Sequence, residues 1–434
     1  MTPTLELGAP VESARLAAAL SGAPHGLRDA VDALWEEVAF TSAPLMEPID
    51  DDTTLVTFLW RDPGDTDNVL VLFFSAPTDG DFSDFLMTHV PGTDLWSRSY
   101  RLPSDLRTTY LFSINDSLIP FSSYAEVLDR LPSYRTDPLN PRDYTLISTP
   151  HEFKVSVLEL PQAPRQPWNL PRRGVRRGEI RMHQFTSRHL GTEHHLAVYL
   201  PPGYDPGRPD PYHVLLLFDG WSYYNFASVT TIMDNLLHVG RIPPYVLVMH
   251  TNEDQDVRAT ELTCHEPFHQ FLVDELMPWV CSQYHVTHDP ARTVVAGSCF
   301  GGLAAAHAAY RSPDRFGNVI SQSGSFWWPR SPDGEQQEEL IEQYAQADRL
   351  PVRFSLEIGS LESSIIDYDP MSAHRRMRDV LVSKGYTVDY HEYTGGHDMV
   401  CWRGSLVDRL LSLHPRPDRS AAVPATPTPT ESRP

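Results

Sequence analysis

Val294-Val295-Ala296-Gly297-Ser298-Cys299-Phe300-Gly301-Gly302-Leu303-Ala304-Ala305-Ala306 decides how the rest of the chain is read. A short apolar run ends in Gly-x-Cys-x-Gly and passes directly into small residues of high helix propensity. A strand that turns this abruptly into a helix holds its turn residue in a strained conformation, with the side chain exposed at the helix N-terminus. The flanking glycines allow the two backbones to approach closely, and the alanines allow the helix to lie near the sheet. Cys299 occupies the nucleophile position of such a turn. The N–H of Phe300 points to where negative charge develops when a carbonyl is attacked. A register using Ser298 would misplace both glycines. A thiol at a helix N-terminus beside a histidine is expected to have a lowered pKa.

Outward from this turn the chain alternates strands and helices. HVLLLFDG (213–220) and YVLVMH (245–250) are continuous apolar runs, as expected of strands buried on both faces. TVVAG (293–297), VISQSGS (319–325), RFSLEIG (353–359) and VDYHEY add further strands. IRMHQFTS and EHHLAVYLPP read as an antiparallel pair ahead of them. Helices are predicted in PFHQFLVDELMPWVCSQY and near Ala373–Lys384. This pattern predicts an α/β-hydrolase domain over residues 180–414, a mostly parallel sheet with helices on both faces. The order nucleophile, acid, histidine then places the base in YTGGHDMVCWRG, at His397. The acid belongs after the preceding strand, in SLEIGSLESS. Glu362 is the first choice, with Asp367 and Glu357 as alternatives. It would orient the base and stabilise its imidazolium. A second oxyanion donor is expected from the loop after HVLLLFD, at the Trp221 N–H. In VRATELT, Arg258 and Glu261 form either a surface ion pair or, for Arg258, a contact to substrate.

Upstream the pattern changes. Leu27, Val31, Leu34 and Val38 have the spacing of one helical face. LVTFLWRD, VLVLFFSA, LWSRSYRL and TTYLFSIND are short β-branched and aromatic runs separated by turn residues, which predicts a β-sandwich module closed by TDPLNPRDYT (136–145). The boundaries follow as 1–159 for this module, 160–179 for a Pro/Arg-rich linker and 415–434 for a proline-rich, disordered tail. The linker's arginines belong either to solvent or to an anion site.

Lys and Arg number 35 against 57 Asp and Glu, a net charge of −22 over 434 residues. That balance argues against nucleic acid as a partner and requires a local cationic cluster for any anionic substrate. No apolar run approaches the roughly 18–20 residues of a membrane span, and the N-terminus lacks the pattern of a secretory signal. A cytoplasmic protein with no membrane partner is expected. Cys264, Cys281, Cys299 and Cys401 form no C-x-x-C pair, so free thiols are expected in preference to a Cys264–Cys401 bridge. No cofactor and no protein-bound metal are implied.

FLWRD, YLFSIND and TDPLNP in the first module, and R-x-x-E-L-x-C, DELMPWV, G-x-C-F-G-G-L, RFGNVISQSGSFWWP and GGHDMVCWRG in the second, together resemble the enterochelin (enterobactin) esterases over roughly residues 45–412. The resemblance implies an all-β immunoglobulin-like sandwich capping the substrate, followed by an α/β-hydrolase catalytic domain. It implies hydrolysis of ester or lactone bonds in a catecholate trilactone siderophore, with any iron arriving as part of the substrate. Cys299, His397 and Glu362 fall at nucleophile, base and acid, and Arg258, Trp328 and Arg403 in segments that resemble those lining the substrate cleft. The departure is Cys299, where the family pattern has Ser. A thioester intermediate favours attack by amines and thiols more than an oxygen ester does. Thioester substrates, and an acyltransferase or cyclase of natural-product biosynthesis, are therefore the alternative reading. A siderophore-binding protein without catalysis is a third.

Overall fold

The computed structural model describes residues 13–21, 26–73, 82–120, 126, 130, 133–148, 151–329, 337–362 and 369–414. Asp367 and the tail 415–434 lie outside the described residues.

Eight strands of the N-terminal part form two four-stranded antiparallel sheets. One contains β1 (Leu45–Pro48), β2 (Thr53–Arg61), β4 (Thr88–His89) and β5 (Leu95–Pro103) in the order β1-β2-β5-β4. The other contains β3 (Val69–Phe73), β6 (Arg107–Ile114), β7 (Asp143–Ser148) and β8 (His151–Glu159) in the order β3-β6-β8-β7. Phe58, Tyr100, Val69, Val71, Tyr110 and Leu158 meet in one core between them. Strand β3 explains why VLVLF shows no alternation. Val69 and Val71 face that core, whereas Leu70 and Leu72 turn outward and are buried against the second half of the chain.

This unit is not all-β. Helices Ala14–Ser21 and Leu27–Thr41 pack on it, and Val31, Leu34, Trp35 and Val38 are buried against Leu45, Leu59 and Leu95. Nor does TDPLNPRDYT close it, because β7 and β8 form one more hairpin before the chain leaves. The following Pro/Arg-rich stretch is pinned in places. Asn235 Nδ2 donates to the carbonyls of Trp168 and Leu170, Gln166 Nε2 donates to the Val400 carbonyl, and Arg172 lies over the Trp168 ring.

The second half contains one eight-stranded sheet: β9 (Glu179–Thr186), β10 (Glu193–Leu200), β11 (His213–Leu217), β12 (Tyr245–Thr251), β13 (Thr293–Ser298), β14 (Asn318–Gln322), β15 (Arg353–Gly359) and β16 (Thr387–Tyr393). The order is β9-β10-β12-β11-β13-β14-β15-β16. The strands from β11 to β16 run parallel, and β10 opposes both its neighbours, so the sheet is mixed. Helices cover both faces. Val214 and Leu216 pack with Leu303 and Ala304 of helix Phe300–Arg311, while Leu215 and Leu217 pack with Val400, Leu406 and Leu410 of helix Met399–Leu413. Burial on both faces is why these strands read as unbroken apolar runs. Among the described residues, no helix is long and apolar enough to cross a membrane.

Candidate active site

Strand β13 sits centrally in the sheet and ends at Ser298, which is buried. The next residue, Cys299, adopts φ 57° and ψ −124°, a conformation disfavoured for any side chain with a Cβ. The strain is held by backbone bonds: the Cys299 N–H donates to the Gln322 carbonyl at 3.0 Å, and the Ser325 N–H donates to the Cys299 carbonyl at 3.1 Å. Gly297 is required here, because a Cβ on it would lie 2.6 Å from the Gly301 backbone. The thiol is thereby presented at the N-terminus of helix Phe300–Arg311. The Phe300 N–H occupies the first turn, where amides have no intrahelical acceptor.

His397 lies in the turn after β16, and Glu362 in the short 3-10 turn Ser360–Glu362 after β15. His397 Nδ1 is 2.7 Å from Glu362 Oε2. The other carboxylate oxygen accepts from the Gly359 N–H at 2.8 Å and from Ser323 Oγ at 2.7 Å. The Trp402 ring packs edge-on against the imidazole, its centroid 4.7 Å away, and its indole N–H donates to Ser323 Oγ. Burial favours the neutral carboxylic acid in Glu362, but the imidazole and these donors hold its pKa below the ordinary range.

Burial likewise pushes the Cys299 thiol up. The neighbouring His397, with which it hydrogen-bonds, together with Arg258 and Ser325, more than offsets this and brings it down to about 6. Burial opposes the charge on His397, yet Glu362 and the thiolate raise it to about 10. The two opposite shifts favour a thiolate–imidazolium pair over a thiol and a neutral imidazole, and titration belongs to the pair as a unit.

The remaining sequence candidates divide. Arg258, on helix Gln255–Glu261, is not paired with Glu261. It forms a bidentate pair with Asp219, at 2.5 and 2.8 Å, beside the elbow, and its guanidinium also interacts with Cys299. Its charge is thus largely answered within the protein. The Trp221 N–H already donates to Thr251 Oγ1 at 2.9 Å, so as an oxyanion donor it has a competing acceptor. Trp328 packs edge-on against Phe300, 5.4 Å between centroids, at the rim of the elbow. Arg403 is elsewhere: its Nε donates to Gln166 Oε1, and its guanidinium lies over Tyr144, in a cavity of about 270 Å³ between the two halves of the chain. That cavity is not lined by Cys299 or His397. The helix that turns Trp402 toward His397 turns the next residue, Arg403, about 100° further round, toward Tyr144 of the sandwich. Glu357 lies within β15, where its side chain is bound by Gln322, Ser405 and Arg409, away from the imidazole.

Sequence reasoning missed Ser325, whose Oγ is 3.6 Å from Cys299 Sγ, and Asp219, which pairs with Arg258. Both follow apolar strands, the position where this architecture collects functional side chains. It also missed a buried trio, His194, His250 and Glu261, whose ligand-capable atoms lie within 4.8 Å of one another. His250 Nε2 and His194 Nδ1 are 3.1 Å apart, and His194 Nε2 contacts Thr192 Oγ1 at 2.9 Å. Burial holds both imidazoles in the neutral form and raises Glu261 to about 7. The trio is a buried polar brace beneath helix Gln255–Glu261, the helix that carries Arg258. All four cysteines are free.

A sheet of this order, a strained elbow at the end of its fifth strand and a histidine–carboxylate pair after its last two define a carboxylic ester hydrolase of the α/β-hydrolase fold. Residues 55–169 match the family described as "Enterochelin esterase, N-terminal", and residues 187–413 the family described as "Putative esterase". The chain belongs to the enterochelin esterase family. It is 31% identical to an iron(III) enterobactin esterase of Escherichia coli O6:H1, covering 85% of this chain and 94% of that one. A Dickeya dadantii iron(III) enterobactin esterase is 29% identical over 90% of this chain and 94% of its own. The crystal structure of a Salmonella typhimurium ferric enterobactin esterase matches with a TM-score of 0.74 and 29% identity, over 88% of this chain and 98% of that one.

Proposed function

We propose that the protein hydrolyses the ester bonds of a catecholate trilactone siderophore through Cys299, His397 and Glu362. The observation that carries this reading is the juxtaposition of Cys299, His397 and Glu362 in a chain similar to enterobactin esterases over both of its halves. The Cys299 thiolate attacks the ester carbonyl carbon, and the carbonyl electrons move to oxygen. The Phe300 N–H faces this oxyanion, and Trp221 can join it by releasing Thr251. Collapse breaks the C–O bond, the departing alkoxide takes the proton of the imidazolium, and a Cys299 thioester remains. Neutral His397 then removes a proton from water, whose oxygen attacks the thioester. Free acid leaves, and thiolate and imidazolium are restored. Glu362 keeps the imidazole oriented and charged in the first step.

Aromatic surfaces at Trp328 and the partly exposed Trp221 suit catechol rings. The facing antiparallel sheets support an immunoglobulin-like cap over the ligand, and the free thiols favour a cytoplasmic location. The test is a time course with a ferric catecholate trilactone, followed by mass spectrometry of small molecules and intact protein. Linear acyl-serine products that disappear in Cys299→Ala support the reading. A stable Cys299 adduct released only by amines would favour acyl transfer, and unchanged trilactone with no adduct would refute the reading.

A further inference from the structure

Glu362 and His397 each have a neighbour anchored in the sandwich. Leu361, beside the acid, buries its side chain in the core formed by Phe58, Leu106, Tyr110 and Leu158. Its N–H donates to the Gly395 carbonyl at 2.9 Å, tying the acid turn to the base turn. On the other side, Gly395 bridges Arg107 at the start of β6, and a Cβ on it would lie 2.8 Å from both the Arg107 carbonyl and Cys401 Sγ. The contacts continue on both flanks of His397. Before it, Thr394 Oγ1 donates to Asp105 Oδ2 at 3.0 Å, and the Thr394 carbonyl accepts from the Arg107 N–H at 3.4 Å. After it, Asp398 caps helix Met399–Leu413 with Oδ1 and accepts from Thr108 Oγ1 at 3.4 Å with Oδ2. Cys401 donates its S–H to the Arg107 carbonyl at 3.2 Å.

A turn of this kind on a hydrolase sheet alone would leave those groups to water and would sample several conformations. We infer that the sandwich segment Asp105–Thr108, with Leu361 inserted into the sandwich core, is a positioning element for the Glu362–His397 pair. The N-terminal unit thus acts on the chemistry through the base turn, apart from any contact with substrate. This rests on the reading of His397 as the partner of Cys299. Displacement of a catalytic group by about 1 Å is enough to slow a reaction by roughly 100-fold.

The test uses the full chain and two readouts: the pH dependence of Cys299 alkylation by iodoacetamide, localised by peptide mass spectrometry, and kcat and KM on an activated aryl ester. The variants are Leu361→Ala, Leu361→Met, Asp105→Ala and Thr394→Val, with His397→Ala as reference. His397→Ala moves the alkylation midpoint upward. Leu361→Ala and the Asp105→Ala/Thr394→Val pair move it the same way by a smaller amount and lower kcat roughly tenfold, with KM little changed, and Leu361→Met restores both. Asp105 is exposed, so its variant remains informative if Leu361→Ala fails to fold. A midpoint that shifts in His397→Ala but stays at the wild-type value, with kcat, in the folded Asp105 and Thr394 variants overturns the positioning role alone. A midpoint unmoved by His397→Ala overturns the Cys299–His397 pairing and the inference with it.

Discussion

In the proposed mechanism, sulfur at the nucleophile changes which proton has to move. With an oxygen nucleophile the imidazole must be neutral at the outset, because it removes the hydroxyl proton during attack. With Cys299 as the proposed nucleophile, the proton is expected to rest on His397 already, so that the active ground state is the charged pair. Below about 6 the thiol is protonated and unreactive, and above about 10 the imidazolium has lost the proton that the leaving alcohol needs. The profile of kcat/KM against pH should therefore rise through about 6, hold a plateau and fall near 10. In Cys299→Ser one of the two negative charges that raise His397 is gone. Activity in that variant should rise with the deprotonation of a less basic imidazole and show no fall from loss of imidazolium. A Cys299→Ser profile that retained both wild-type limbs would contradict the charged pair. Cys299→Ala should lose roughly 10⁴-fold or more in kcat, measurable on the same ester. Arg258→Ala should raise the alkylation midpoint of Cys299 and, by stranding Asp219 as an unpaired, largely buried carboxylate, destabilise the fold by about 3–5 kcal/mol in urea melts.

At the scale of elements, the elbow was legible because its constraints are local. Strand, strained residue and close-packed helix fall within a dozen positions, and each demands a residue type that the sequence displays. Gly297→Ala tests this. The added methyl would meet the Gly301 backbone, so stability should fall by about 1–3 kcal/mol, with a lower melting temperature and a larger loss of kcat than the stability change alone produces. His397 and Glu362 were readable from chain order, since each follows a strand of recognisable composition. The partner of Arg258 was not. Asp219 is 39 positions away and meets Arg258 only because β11 and β12 are neighbours. That Arg403 faces the cavity at Tyr144 and not the elbow was hidden for a related reason: a motif shows that residues are near in sequence, while the helix decides which way each one faces. The helices on the sandwich were only half seen, because Leu27–Thr41 has a clear apolar stripe and Ala14–Ser21 buries only Leu16.

On the scale of the whole molecule, the charge of −22 meets a substrate class that is itself anionic when loaded with iron. Catecholate oxygens remain deprotonated on the metal, so a ferric trilactone complex carries net negative charge, whereas the metal-free ligand is close to neutral. Steering by a cationic cleft would make association fall as salt is added. Here Arg258, the arginine beside Cys299, is paired with Asp219, and Arg403 lies in the cavity against the sandwich. The prediction is that the field the ferric complex meets is dominated by the protein's overall negative charge. Because screening lengths shrink from roughly 30 Å at 0.01 M to about 8 Å at 0.15 M ionic strength, added salt should weaken repulsion first. The value of kcat/KM for the ferric complex should rise several-fold over that range, while that for the metal-free trilactone stays nearly constant. Stopped-flow traces of both forms at matched pH provide the comparison. A ferric rate that falls with salt would place an uncompensated cationic patch at the entrance and would assign substrate capture to arginines other than Arg258 and Arg403.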